Sequence, residues 1–124
     1  MDNFEEIFNR LKLVMEKLTP PFTAVNVTNT RYELYSKRKD MDVMGKKMNE
    51  LYFSSIIIKK NFVGFYYFPL YVKPEIKNSL KPELLKLLKG KTCFHITKSD
   101  GLIIEEIGKL LNNGLDYYKK MNWI

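Results

Sequence analysis

Hydrophobic and polar positions alternate with two different periods along this chain. Between Asp2 and Leu18 the apolar residues Phe4, Ile7, Phe8, Leu11, Val14, Met15 and Leu18 recur at steps of three and four. That spacing predicts an amphipathic helix with one apolar stripe. Asp2 can cap its first turn, with Glu5 three residues on, and Thr19-Pro20-Pro21 ends it, because proline removes a donor and restricts the residue before it. Phe22–Thr28 and Arg31–Ser36 then read as two short strands around Asn29-Thr30. Lys37–Asn49 is polar, holds Gly45 and three methionines, and reads as a long loop with room for one helical turn.

The most apolar stretch is Leu51–Leu70, LYFSSIIIKKNFVGFYYFPL. Two runs rich in Ile, Val, Phe and Tyr, Leu51–Ile58 and Phe62–Leu70, flank the polar step Lys59-Lys60-Asn61. Such residues suit a pleated, half-buried surface, and a short polar step between them signals a β-hairpin. This hairpin is expected at the centre of the sheet. Tyr71–Lys81 reads as a connection with a helical turn at Glu75–Ser79. Pro82–Leu88 reads as a short helix opened by Pro82 and closed by Gly90.

Lys91–Thr97 is the last strand. Ser99 or Asp100 caps a final helix to about Lys120, with Ile103, Ile107, Leu110, Leu111, Leu115 and Tyr118 as its stripe. Gly114 inside that helix costs about 1 kcal/mol against alanine and so marks close helix–sheet packing. Trp123 is expected to anchor the tail. The order helix, four strands, short helices, strand, helix predicts a single α+β domain over residues 1–124. It is a two-layer sandwich in which an antiparallel five-stranded sheet carries the N- and C-terminal helices on one face.

Length and composition change this picture little. A chain of 124 residues buries enough surface for one core. No apolar run reaches the roughly 18 residues of a membrane span, and the acidic opening MDNFEEIF lacks the features of a secretory signal, so no membrane partner is expected. The single cysteine, Cys93, cannot pair internally, which suits a reducing cytoplasm. The net charge of +7 favours anionic partners but also serves solubility.

Candidate chemistry is sparse. Cys93 and His95 are two apart on a strand and share one face. With Phe94 and Ile96 turned to the helices, that face is the open one. A thiolate and an imidazole can ligate a metal or support nucleophilic catalysis, but two residues are not a site, and a small buried thiol beside a hydrogen-bonded histidine is the plainer reading. Asp2, Glu5, Glu6 and Glu16 on the first helix, and Glu105 and Glu106 on the last, could collect a hard cation. Interleaved Arg10, Lys12, Lys17 and Lys109 make a salt-bridged solvent face the better reading. Tyr52, Tyr66, Tyr67 and Tyr71 put aromatic rings on both faces of the hairpin. An aromatic sheet ringed by lysine is the plan of single-strand binders, yet no phosphate loop, nucleophile elbow or HExxH is present. No catalytic constellation is complete, so a non-enzymatic protein is expected, binding a small ligand or a partner through Tyr52, Tyr66, Cys93 and His95.

Three stretches together, Glu50–Tyr71, Lys81–Lys98 (KPELLKLLKGKTCFHITK) and Gly114–Trp123 (GLDYYKKMNW), resemble the YdhG-like family, small bacterial domains of unknown function related in fold to frataxin. The resemblance covers about the last 75 residues and the first helix by position. It implies an α+β sandwich with terminal helices on an antiparallel sheet, and an iron-chaperone role by analogy with frataxin. By position alone it implies Glu5, Glu6 and Glu16 as metal candidates; no other cofactor is implied. Frataxin-type iron binding uses an acidic ridge on the first helix and first strand, whereas Phe22–Thr28 holds no acid.

The basic residues complete the reading. Lys37, Arg38, Lys39, Lys46 and Lys47 precede the central hairpin, and Lys59 and Lys60 sit at its turn. If the second and third strands are antiparallel neighbours, these groups lie at opposite sheet ends, about 25 to 30 Å apart. That exceeds the Debye length of about 8 Å at physiological salt, so no tight nucleic-acid binding is expected.

Overall fold

The computed structural model describes residues 3–124. Helix α1 spans Phe4–Glu16. The expected Asp2 cap lies outside the described residues; Asn3 is the N-cap, its side chain accepting from the Glu6 amide at 3.1 Å. The stripe read from the sequence buries Ile7, Phe8, Leu11 and Met15, each contributing about 2 kcal/mol in transfer terms. The strands are β1 (Thr23–Val25), β2 (Arg31–Ser36), β3 (Met41–Val43), β4 (Lys46–Met48), β5 (Leu51–Ile58), β6 (Val63–Tyr67), β7 (Leu88–Lys89) and β8 (Cys93–Ile96). Short helices α2 (Pro69–Val72) and α3 (Pro82–Leu85) flank a 3-10 turn at Pro74–Ser79, and α4 runs Gly101–Lys120. The Asp100 side chain caps α4 by accepting from the Leu102 amide at 2.8 Å.

The α+β class, the antiparallel sheet and the two terminal helices are present. The strand count differs from the five expected. One six-stranded sheet has the order β1-β2-β5-β6-β8-β7, with β5–β6 at its centre, and β3–β4 form a second, two-stranded sheet. The two-stranded hairpin occupies the stretch read as a loop. Its turn residues Met44 (φ 49°) and Gly45 (φ 85°) both take left-handed backbone, as a two-residue hairpin turn requires. Met41 and Val43 point inward while Asp42 points out, so the alternation is real but only three residues long. The sixth strand, β7, takes Leu88 and Lys89 from what reads as the end of a helix; Leu88 pairs with Phe94. The first strand is also shorter than Phe22–Thr28, because Asn26 turns to φ 51° and ends it.

Both terminal helices cover one sheet face. Phe53, Phe65, Tyr67, Phe94 and Ile96 of the sheet are buried against Ile7, Leu11, Ile107, Leu111 and Tyr118. Arg10 ties α1 to the start of α4 by donating to the Ser99 hydroxyl at 2.5 Å. Trp123 is buried, as the sequence suggests, and joins α4 to the β3–β4 hairpin: its Nε1–H donates to the Asp42 carbonyl at 2.8 Å. Among the described residues no helix is long and apolar enough to cross a membrane.

Candidate functional site

The register decides what stands on the face opposite the helices. Tyr66 pairs with Ser55 on β5 and Cys93 on β8, and Gly64 pairs with Ile57 and His95. On β2, Glu33 pairs with Ser55, and Arg31 with Ile57. Side chains alternate across a strand. With Phe65, Phe94 and Ile96 buried under the helices, the residues Arg31, Glu33, Ser55, Tyr66, Cys93 and His95 share the other face. The two-residue spacing of Cys93 and His95 thus has the consequence expected of it.

Gly64 shapes the middle of this face. A Cβ placed there would stand 2.8 Å from Tyr66 Cε1 and 2.9 Å from its hydroxyl. The Tyr66 ring therefore lies along its own strand, across the shallow bay that the missing side chain leaves. Glycine inside a strong strand often marks such a close approach. On the β8 side of the bay the His95 ring stacks on Phe62, 3.7 Å between centroids and 10° from parallel. The imidazole is thus held by an aromatic face, and no hydrogen bond joins it to Cys93 among the described residues.

On the β5 and β2 side a polar group adjoins Tyr66. The Tyr52 hydroxyl is hydrogen-bonded to the Ser55 hydroxyl. Glu33, with 10% of its side chain exposed, accepts from Asn26 Nδ2 at 2.5 Å and from Arg31 at 3.3 Å. Both carboxylate oxygens are thereby satisfied, as a buried charge requires. Tyr52 belongs to an aromatic row along one end of the sheet rather than to the Tyr66 bay. It meets Tyr35 edge-on at 5.4 Å and Phe68 at 6.1 Å, and Phe68 stacks on Tyr71 at 5.6 Å. Of the four residues singled out in the sequence, Tyr66, Cys93 and His95 come together, and Tyr52 connects to them through Ser55.

Three titratable groups here keep their protons. Burial pushes the Tyr52 hydroxyl far above its ordinary range, with the Ser55 hydrogen bond only partly opposing it. Burial also raises Tyr66, and the adjacent Cys93 raises it further. The Cys93 thiol is raised by burial, against smaller lowering effects of the Tyr66 hydroxyl and Lys59. At neutral pH the face therefore presents hydroxyl and thiol hydrogen-bond donors and aromatic surface, not a thiolate. Because the thiolate is the reacting species, Cys93 should alkylate with iodoacetamide more slowly than free cysteine between pH 7 and 8, and reach its half-maximal rate at higher pH. A rate above that of free cysteine would show that the pocket activates the thiol.

The metal candidates are not assembled. Glu5 and Glu6 lie in the first turn of α1 and Glu16 at its other end, about 15 Å away along the axis. Among the described residues, no three His, Cys, Asp or Glu side chains stand close enough to hold a metal ion. Glu105 and Glu106 are instead paired with lysine. Lys109 reaches Glu106 at 3.2 Å and Glu105 at 3.5 Å, and Lys81 reaches Glu106 at 3.6 Å.

No family model, curated protein or solved structure matches this chain. Arg31, Glu33, Ser55, Phe62 and Gly64 are members of the face that a reading of the sequence passes over. The signals were present: Arg31-Tyr32-Glu33 puts two opposite charges on one side of a strand, and Gly64 interrupts the most apolar stretch of the chain.

Proposed function

We propose that this chain is a non-enzymatic cytoplasmic binding domain of the YdhG-like type, with a frataxin-like sandwich, which takes a small ligand or partner on its open sheet face. The observation that carries the reading is the Tyr66 ring lying over Gly64, beside the Cys93 thiol and the Phe62–His95 stack, on a face without a helix layer. An aromatic floor with a few fixed donors is the usual composition of a small-molecule site. The α+β class with both terminal helices on one side of an antiparallel sheet supports the family and fold part of the reading, and the unpaired Cys93 suits a reducing compartment.

Two-dimensional amide NMR with a set of small aromatic fragments tests the reading. Binders should shift Gly64, Tyr66, Cys93 and His95 together. Tyr66→Ala should weaken them about tenfold, the usual worth of one aromatic contact in a site. Gly64→Ala should do the same by lifting the ring while leaving the fold intact, because the nearest atoms to the added methyl are the far end of the Tyr66 side chain. Fragments that shift only other surfaces, or that bind the two variants unchanged, would remove this reading.

A further inference from the structure

A second site lies outside the open face, at the sheet end where the aromatic row stops. Between α2, the 3-10 turn and the β7–β8 turn is a cleft of about 270 Å³. Leu70, Pro74 and Leu88 form its apolar floor, Tyr71 is one wall, and Lys77 and Lys91 stand at the rim. Gly90, at φ 87°, closes the β7–β8 turn with nothing within 4 Å of where a Cβ would be, so the backbone there is open to a ligand.

Three features say what would fit. The lining has two lysines and no acid, and among the described residues neither lysine takes part in an ion pair. The cleft therefore has an uncompensated positive charge. Lysine acts on a phosphate as a mobile point charge, without the fixed fork of arginine. Second, Tyr71 is 52% exposed although it is a large aromatic. Its ring stacks with Phe68, 5.6 Å between centroids and 23° from parallel, and the Lys91 ammonium stands 6.0 Å from its centroid. That distance is the outer limit of a cation–π contact, so the ammonium is loosely held and can move to an anion while a planar ring takes its place. Third, the volume lies just below the usual range of small-molecule pockets, which leaves room for one partly exposed nucleotide rather than a strand.

We infer that this cleft binds a free nucleoside monophosphate, its base stacked on Tyr71 and its phosphate held between Lys77 and Lys91. The site stands independently of the open-face reading, since it shares no residue with the Gly64 bay. The full chain is titrated with adenosine monophosphate, followed by amide NMR. Shifts are expected at Leu70, Tyr71, Lys77, Gly90 and Lys91, with a Kd on the order of 10 to 100 µM, near the ceiling for a ligand of this size. Tyr71→Ala should weaken binding about tenfold, the effect of losing one base–aromatic stack. Lys77→Gln/Lys91→Gln should weaken it by a similar factor at low salt and by less at high salt, because screening has already removed part of the attraction.

All three positions are partly exposed, so the variants keep the fold, which the dispersion of their amide spectra verifies directly. Adenosine and inorganic phosphate, each supplying one half of the contact, should both bind at least about tenfold more weakly than the monophosphate. Phosphate binding as tightly as the nucleotide, unchanged affinity in Tyr71→Ala, or shifts confined to Tyr66 and His95 would each overturn the site. A ten-residue single strand binding in the submicromolar range at physiological salt would overturn it in favour of a strand-binding surface.

Discussion

Trp123→Ala should destabilise the protein by about 4 kcal/mol, the upper part of the range for large-to-small core changes. Trp123 lies past the end of α4 and outside any helix or strand, yet it is 2% exposed. Its ring meets Tyr118 edge-on at 5.2 Å and Tyr117 at 5.6 Å. Its Nε1–H donates to the Asp42 carbonyl at 2.8 Å, and its own carbonyl accepts from the Ser36 hydroxyl. The side chain thus joins α4 to the β3–β4 hairpin, and the residue's backbone carbonyl adds the end of β2. A two-stranded hairpin is marginal alone in water, so β3–β4 depends on this contact. Hydrogen exchange in the alanine variant should therefore lose protection first at Met41–Met48, before the β5–β6 centre. Trp123→Phe keeps most of the apolar fill but strands the Asp42 carbonyl, and should cost about 1 to 2 kcal/mol. Denaturant unfolding that shows Trp123→Ala within about 1 kcal/mol of the parent would mean that the tail packs without anchoring.

How far these features were legible depends on how many residues repeat a signal. The helix stripes persist over four or more turns, and the β5–β6 runs over two full strands, so periodicity alone places them. Cys93 and His95 fall on one face because strand alternation needs only one correctly oriented neighbour, Phe94. The β3–β4 hairpin was not legible: its strands are three residues each, and its turn uses Met44 in a left-handed conformation that asparagine or glycine would ordinarily advertise. β7 has two residues and exists because Leu88 reaches Phe94 across the sheet, a tertiary contact with no local pattern. Alternation also fails at Phe53 and Ser54, both fully buried, where the β2–β5 register shifts. On the open face, the apolar criterion that finds cores passes over Arg31 and Glu33, although Glu33 is itself buried. The metal candidates show the converse. Carboxylates that share one helix stay spread along its axis, since nothing in α1 folds Glu16 onto Glu5 and Glu6.

The two interior glycines of α4 make a final pair with opposite expected signs. Gly108→Ala should leave the protein unchanged or stabilise it by up to about 1 kcal/mol, the helix-propensity difference. The new methyl would stand 3.5 Å from Val14 Cγ1, an ordinary contact. Gly114→Ala gains the same propensity but should lose about 3 kcal/mol net, toward the upper limit of overpacking costs. Its Cβ would stand 2.4 Å from the Tyr67 hydroxyl and 2.7 Å from Phe53 Cε1. Neither neighbour can give way cheaply. Tyr67 is fully buried with its hydroxyl donating to the Leu110 carbonyl at 2.5 Å, and Phe53 is stacked on Phe22 at 4.1 Å and edge-on to Tyr118 at 5.0 Å. Relief should therefore come from removing the oxygen: Gly114→Ala/Tyr67→Phe should be more stable than the sum of the single changes by about 1 kcal/mol or more, as contacting residues commonly couple. Thermal and denaturant unfolding of the four proteins measures that coupling. Additive losses, or a Gly114→Ala variant as stable as Gly108→Ala, would show that α4 can shift away from the sheet and that the glycine is not what sets their separation.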